Sequence, residues 1–155
     1  MNREHLLARL DKAWTALGES YAGLTEAEMM APGVAGEWSV KDMLAHVATW
    51  EEEALKYLPL VLAGGRPPRY ASYGGIDAFN ARMTEAKRGL SLAEVQRLLV
   101  ETHRQLIAYL QSVPEAQFAT ETRFRHRLRL DTYSHYPLHT TMIRTWREQM
   151  NTETR

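Results

Sequence analysis

The sequence predicts an all-α protein, an up-and-down four-helix bundle with an additional short helix between the second and third long helices. Three observations carry this expectation. Apolar residues recur at three- and four-residue steps in four long windows, capping sequences open several of them, and glycine- or proline-containing segments separate them. No internal repeat or second core is visible, so residues 1–155 are expected to form a single bundle domain.

Leu6, Leu10, Ala13, Trp14, Leu17 and Tyr21 share one helical stripe and place the first long helix at 2–22. Thr25 and Glu28 then form a short capping box, and Pro32-Gly33 with Gly36 makes a loop. Ser39 and Asp42 are a second box, opening the second long helix at 39–62 with Val40, Met43, Leu44, Val47, Trp50, Ala54 and Leu58 on its apolar side. Pro59 is expected to kink or end it. Residues 63–75 hold four of the nine glycines and two of the six prolines, the composition of a long irregular connection. A short helix follows at 76–88, and Ser91 with Glu94 boxes the third long helix at 91–112. The fourth is expected at 131–150, with Asp131 as its N-cap. Before it, Arg123, Arg125, Arg127 and Arg129 alternate with Phe124, His126, Leu128 and Leu130, a period of two that predicts an extended crossover.

Charge and composition narrow the function. Lys plus Arg and Asp plus Glu are both 19, so no global positive field exists to hold phosphates, and neither nucleic acid nor a membrane surface is an expected partner. With no cysteine, there is no disulfide, thiolate ligand or thiol nucleophile, and His and carboxylates remain as strong metal ligands. The charged N-terminal residues do not read as a signal peptide, and a cytoplasmic location is expected.

The fourth helix carries the chemistry. His135, His139, Met142, Trp146 and Gln149 form its inward stripe, so two histidines stand where a bundle normally places leucines. Imidazoles at i, i+4 have β-carbons about 5–6 Å apart and can chelate one ion. His46, on a stripe of the second helix with Trp50, Glu53 and Tyr57, is the natural third ligand, and the three meet early in both helices if an alternating bundle makes those helices parallel. Three protein ligands with an open position are the pattern of a catalytic metal site; isolated histidines beside an apolar face are more commonly structural. His103 falls in that structural class, and His5 and His126 have no partner in sequence. Glu51, Glu52 and Glu53 read as a solvated face, with Glu53 and Asp131 as candidates to orient a ligand or move a proton. Trp38, Trp50, Tyr57 and Tyr133 are candidates to line a substrate pocket for a small molecule.

Three segments, GEWSVKDMLAHVATWE at 36–51, IDAFNAR at 76–82 and DTYSHYPLHTTMIRTW at 131–146, resemble the DinB-like superfamily, and within it the ClbS/DfsB type of four-helix bundle. The likeness extends in order and spacing over nearly the whole chain. It implies a divalent metal such as zinc or nickel held by His46, His135 and His139. It also implies one of two activities toward electrophilic small molecules: metal-dependent transfer of a low-molecular-weight thiol, or hydrolysis of the kind that confers self-resistance, which could proceed without metal. Family habit, with exposed helical faces, implies a homodimer, and a non-catalytic bundle is the remaining alternative. Pro137 departs from the family pattern and predicts a bend in the first turns of the fourth helix, because the amide that would bond the Tyr133 carbonyl is missing.

Overall fold

The computed structural model describes residues 2–153. Its helices are α1 (Arg3–Tyr21), α2 (Glu26–Met30), α3 (Val40–Leu62), α4 (Ile76–Lys87), α5 (Leu92–Ser112), α6 (Ala116–Ala119), α7 (Arg123–Asp131) and α8 (Tyr136–Glu153), with a 3-10 turn at Tyr70–Tyr73. Among the described residues there is no strand, only an isolated bridge between Ala35 and Trp38. The long bundle helices are α1, α3, α5 and α8, and α4 is the short extra helix expected between the second and third of them.

Local chemistry explains most of the boundaries. Thr25, Ser39 and Ser91 each complete a capping box with Glu28, Asp42 and Glu94, so two otherwise orphaned amides at each helix start are satisfied. Pro59 does not end α3, which runs one further turn to Leu62; the break falls at Gly64, whose φ of 89° suits only a residue without a Cβ.

Two expectations fail together. Residues 123–130 are helical rather than extended, because Phe124 and Leu128, one helical turn apart, are both buried and Thr122 caps the helix by accepting from the Arg125 amide. Asp131 therefore closes α7 and does not cap the fourth long helix, which begins at Tyr136.

The core joins Leu6, Leu10 and Leu17 of α1 to Leu44, Val47 and Leu58 of α3. It continues through Leu99, Leu106 and Leu110 of α5 to Tyr136, Ile143 and Trp146 of α8. Each fully buried leucine contributes about 1.5–3 kcal/mol relative to exposure.

Contacts between helices fix their directions. Arg3 at the start of α1 reaches the Val113 carbonyl just past α5, whereas Trp14 stacks on His103 in mid-helix, so α1 and α5 are antiparallel. Arg9 lies over Tyr133 and Arg147 donates to the Ser20 carbonyl, so α1 and α8 run together. Lys41 donates to the Arg88 carbonyl and Thr102 to Glu51, so α3 and α5 also run together. The order is up, down, down, up, and α3 is antiparallel to α8 rather than parallel as simple alternation implied.

Candidate metal centre

His46 sits two turns into α3, where the Ser39 box fixes the start of the helix. His139 is in the first turn of α8, and His135 lies just before it in the turn 132–135, where the amides of His135 and Tyr136 both donate to the Thr132 carbonyl at 2.8 Å. Antiparallel α3 and α8 still bring the three together, because residues before and in the first turn of α8 face the first half of α3. Pro137 causes no bend that harms this arrangement. It is in the first helical turn, where its missing amide would have had no intrahelical partner.

One potential ligand atom from each of His46, His135 and His139 lies within 4.8 Å of the others. His135 Nε2 is 3.0 Å from His46 Nε2 and 2.8 Å from His139 Nε2. Burial is the main force holding all three imidazoles neutral: the pKa falls to about 3 at His46, about 2 at His135 and about 4 at His139, with further repulsion among the rings at the first two. The donor set fits a cation. A neutral imidazole nitrogen either donates or accepts, so one proton on His135 Nε2 can serve one neighbour while the other nitrogen still faces it. The Nδ1 atoms of His46 and His139 are buried without a hydrogen-bond partner among the described residues. A divalent ion binds neutral imidazole and would turn the three converging lone pairs from a cost into a coordination face.

A cavity of about 330 Å3 opens beside His135. Trp50 and Tyr70 form its aromatic walls, Ile76 and Leu130 its aliphatic ones, and Arg127 and Asp131 its polar edge. The Arg127 Nε donates to Asp131 Oδ2 at 2.6 Å and its Nη2 to the Tyr70 hydroxyl at 2.9 Å. Burial pushes the Asp131 carboxyl up to about 6 against the opposing pull of Arg127, with a smaller upward contribution from Glu53.

The other expected site residues are dispersed around this centre. Trp38 packs against His46 with ring centroids 5.2 Å apart. Tyr57 carries the Arg127 guanidinium over its ring at 5.8 Å and so backs the cavity wall. Tyr133 is packed in the core beneath Arg9 and does not line the cavity. Glu53 acts electrostatically on Tyr70 and Asp131, outside the cavity lining. Sequence reading placed Arg127 in the crossover rather than in a pocket and missed Tyr70, Ile76 and Leu130, and also Asn80, whose Oδ1 accepts from Trp50 Nε1 at 2.8 Å and orients that ring. Asn80 lies within the IDAFNAR segment, so that motif holds the signal.

Glu51 is the main correction within the acidic run. It is fully buried, and accepts from Tyr136 at 2.6 Å and Thr102 at 3.3 Å while pairing with His103 at 3.0 Å. The His103 ring stacks on Trp14 at 3.6 Å, so this polar cluster around Glu51 ties all four long helices and stands apart from the triad. Glu52 is half exposed and pairs with Lys87 at 3.1 Å.

A family model described as the DinB superfamily matches residues 5–141. Among solved structures, the chain is similar to DfsB, a sibling lethal factor precursor, at 16% identity over 97% of each chain with a TM-score of 0.79. It is similar to the colibactin self-resistance protein ClbS, solved in complex with a dsDNA, at 15% identity over 93% of this chain and 94% of that one, TM-score 0.75. A protein from Streptococcus pneumoniae shares 19% identity over 96% of this chain and 91% of its own, TM-score 0.75. No curated protein matches the chain. At these identities the likeness shows the fold. The ClbS complex also removes the ground for setting nucleic acid aside, since a protein of the same fold meets a duplex. A balanced total charge does not exclude a local basic surface, and on α7 Arg123 and His126 are exposed.

Proposed function

Because the chain belongs to the DinB superfamily, we propose that it is a metal-dependent enzyme acting on an electrophilic small molecule, with His46, His135 and His139 as the metal ligands. The observation that carries the reading is the convergence of three imidazoles, His46 and His139 buried and His135 half-buried, beside a ligand-sized cavity. A divalent ion such as zinc or nickel supplies Lewis acidity there, lowering the pKa of a water or of a low-molecular-weight thiol into the neutral range. The chain's own residues then have distinct tasks. Trp50 and Tyr70 seat the substrate beside His135 and exclude water. Asp131, with its carboxyl near 6, holds or returns a proton at its Oδ atoms while Arg127 keeps it oriented. Glu53 tunes Asp131 electrostatically from outside the cavity.

Thiol transfer and hydrolysis both use such a nucleophile, and the likeness to ClbS supports a protective role against a reactive compound. The test is elemental analysis of protein loaded with zinc or nickel, followed by turnover of model electrophiles with and without an added thiol. One equivalent of metal, lost in His46→Ala and His139→Ala, is expected, with turnover that disappears on chelation. Turnover that survives chelation assigns the cavity alone, as in a metal-free resistance protein.

A further inference from the structure

The cavity beside His135 offers an occupant mostly ring faces and aliphatic groups, because the polar side chains in its wall are already bonded to one another or to Asn80. The only polar side-chain atom of Trp50 donates to Asn80 at 2.8 Å. Arg127 and Asp131 form an ion pair at 2.6 Å, and the Tyr70 hydroxyl accepts from Arg127 at 2.9 Å. What remains is the indole of Trp50, the phenol ring of Tyr70, and Ile76 and Leu130 at the rim, which are 54% and 53% exposed. An anion entering here meets an arginine whose charge Asp131 already balances, and a cation meets that same arginine. From the cavity walls themselves either ion would gain no free counter-charge for the hydration it loses, or would have to break the existing pair.

Shape restricts the occupant further. The Trp50 and Tyr70 rings stand edge to face, 5.2 Å apart at 62°, and form an aromatic corner. A flat ring can lie on one wall and present its edge to the other, the arrangement that the ring quadrupoles favour. About 330 Å3 is at the small end of ligand cavities.

We propose that the substrate is an uncharged, compact and largely apolar molecule with a planar ring system, held by the Trp50–Tyr70 corner and the Ile76–Leu130 rim, with its single electrophilic centre directed at the histidine triad. The inference rests on the reading of the triad as the reacting centre, and it adds the substrate's charge and shape. Recognition is by apolar surface, and the reactive atom is directed to the His135 end of the cavity, where the triad and Asp131 stand.

The test titrates chelator-treated protein near neutral pH with 2-naphthol, 2-naphthoate and 2-naphthylmethylammonium, which share a ring system and differ in charge, and follows the heat of binding. Naphthol is expected to bind at least about ten-fold more tightly than either ion. An ion that equals or exceeds it overturns the proposal, as does the absence of binding by all three. Ile76→Glu and Leu130→Glu alter exposed positions, so the melting transition should be preserved while naphthol binding is lost; undiminished binding in both variants also overturns it. Zinc and nickel uptake are measured on the same preparations. Full uptake without a charge preference sinks this inference and leaves the metal centre standing. A charge preference in protein that takes up neither metal supports the substrate class and sinks the metal reading.

Discussion

His46, His135 and His139 are kept neutral mainly by burial, and that has a pH consequence in the metal-free protein. Their folded-state pKa values, about 3, about 2 and about 4, lie below the ordinary 6.5, so the unfolded chain takes up protons that the folded site refuses. The stability they contribute is present above about pH 6.5 and is lost as pH falls toward those values. Asp131 has the opposite sign: raised from 3.8 to about 6, it favours the fold below 3.8 and loses that contribution as pH rises through 6. Three histidines outweigh one aspartate. The melting temperature should therefore drop by roughly 10–20 °C between neutral pH and about pH 4.5, for a loss on the order of 5 kcal/mol. The slope should be shallower in His46→Leu and His139→Leu; an equal slope in those variants would contradict the assignment.

Glu51 belongs to the same scale. Glu51→Ala leaves Tyr136, Thr102 and His103 without their shared acceptor in the interior, and should cost about 3–5 kcal/mol in denaturant unfolding. His103→Ala removes one partner and the stack on Trp14, and should cost roughly 1–3 kcal/mol while metal stoichiometry stays unchanged. Loss of metal in a folded His103→Ala protein would show that the wrong histidines were chosen. The triad was legible because His135 and His139 are four residues apart in a segment that reads as helical. Glu51 was not: a charged run on a helix looks solvated until the partners on α5 and α8 are known.

At the level of elements, capping boxes marked helix starts to within a residue. Ser39→Ala should cost about 1 kcal/mol, read from the shift of the unfolding midpoint, because it removes the acceptor for the Asp42 amide. Pro137 was the misleading signal. With α8 starting at Tyr136, Pro137→Ala should change stability by less than about 1 kcal/mol, toward destabilisation through the freer unfolded chain, and should leave metal uptake intact. The arginine alternation on 123–129 misled in the same way. The charges have a period of two, whereas the one-turn spacing of Phe124 and Leu128, which decides what is buried, belongs to a helix.

Across the whole molecule, the triad ties α3 to the start of α8, segments separated by 89 residues between His46 and His135. An ion bound only by the folded state stabilises it by about 2.7 kcal/mol at a hundred times its Kd. Thermal unfolding with saturating zinc or nickel should thus rise by roughly 5–11 °C, an increment absent in His46→Ala. No helix among the described residues is long and apolar enough to cross a membrane.

By itself the sequence determined what is periodic and local: an all-helical chain, the starts of α2, α3 and α5, and the four-residue spacing of His135 and His139; the stripe expected around them does not hold, since His135 precedes α8 and Met142 and Gln149 are exposed. Tertiary structure alone decided the helix directions, since apolar stripes are the same whichever way a helix points. It also decided the burial of Glu51 and the assembly of the cavity from α3, the 63–75 connection, α4 and α7. Those depend on which surfaces meet across long stretches of chain, and packing complementarity leaves no periodic trace in any one of them.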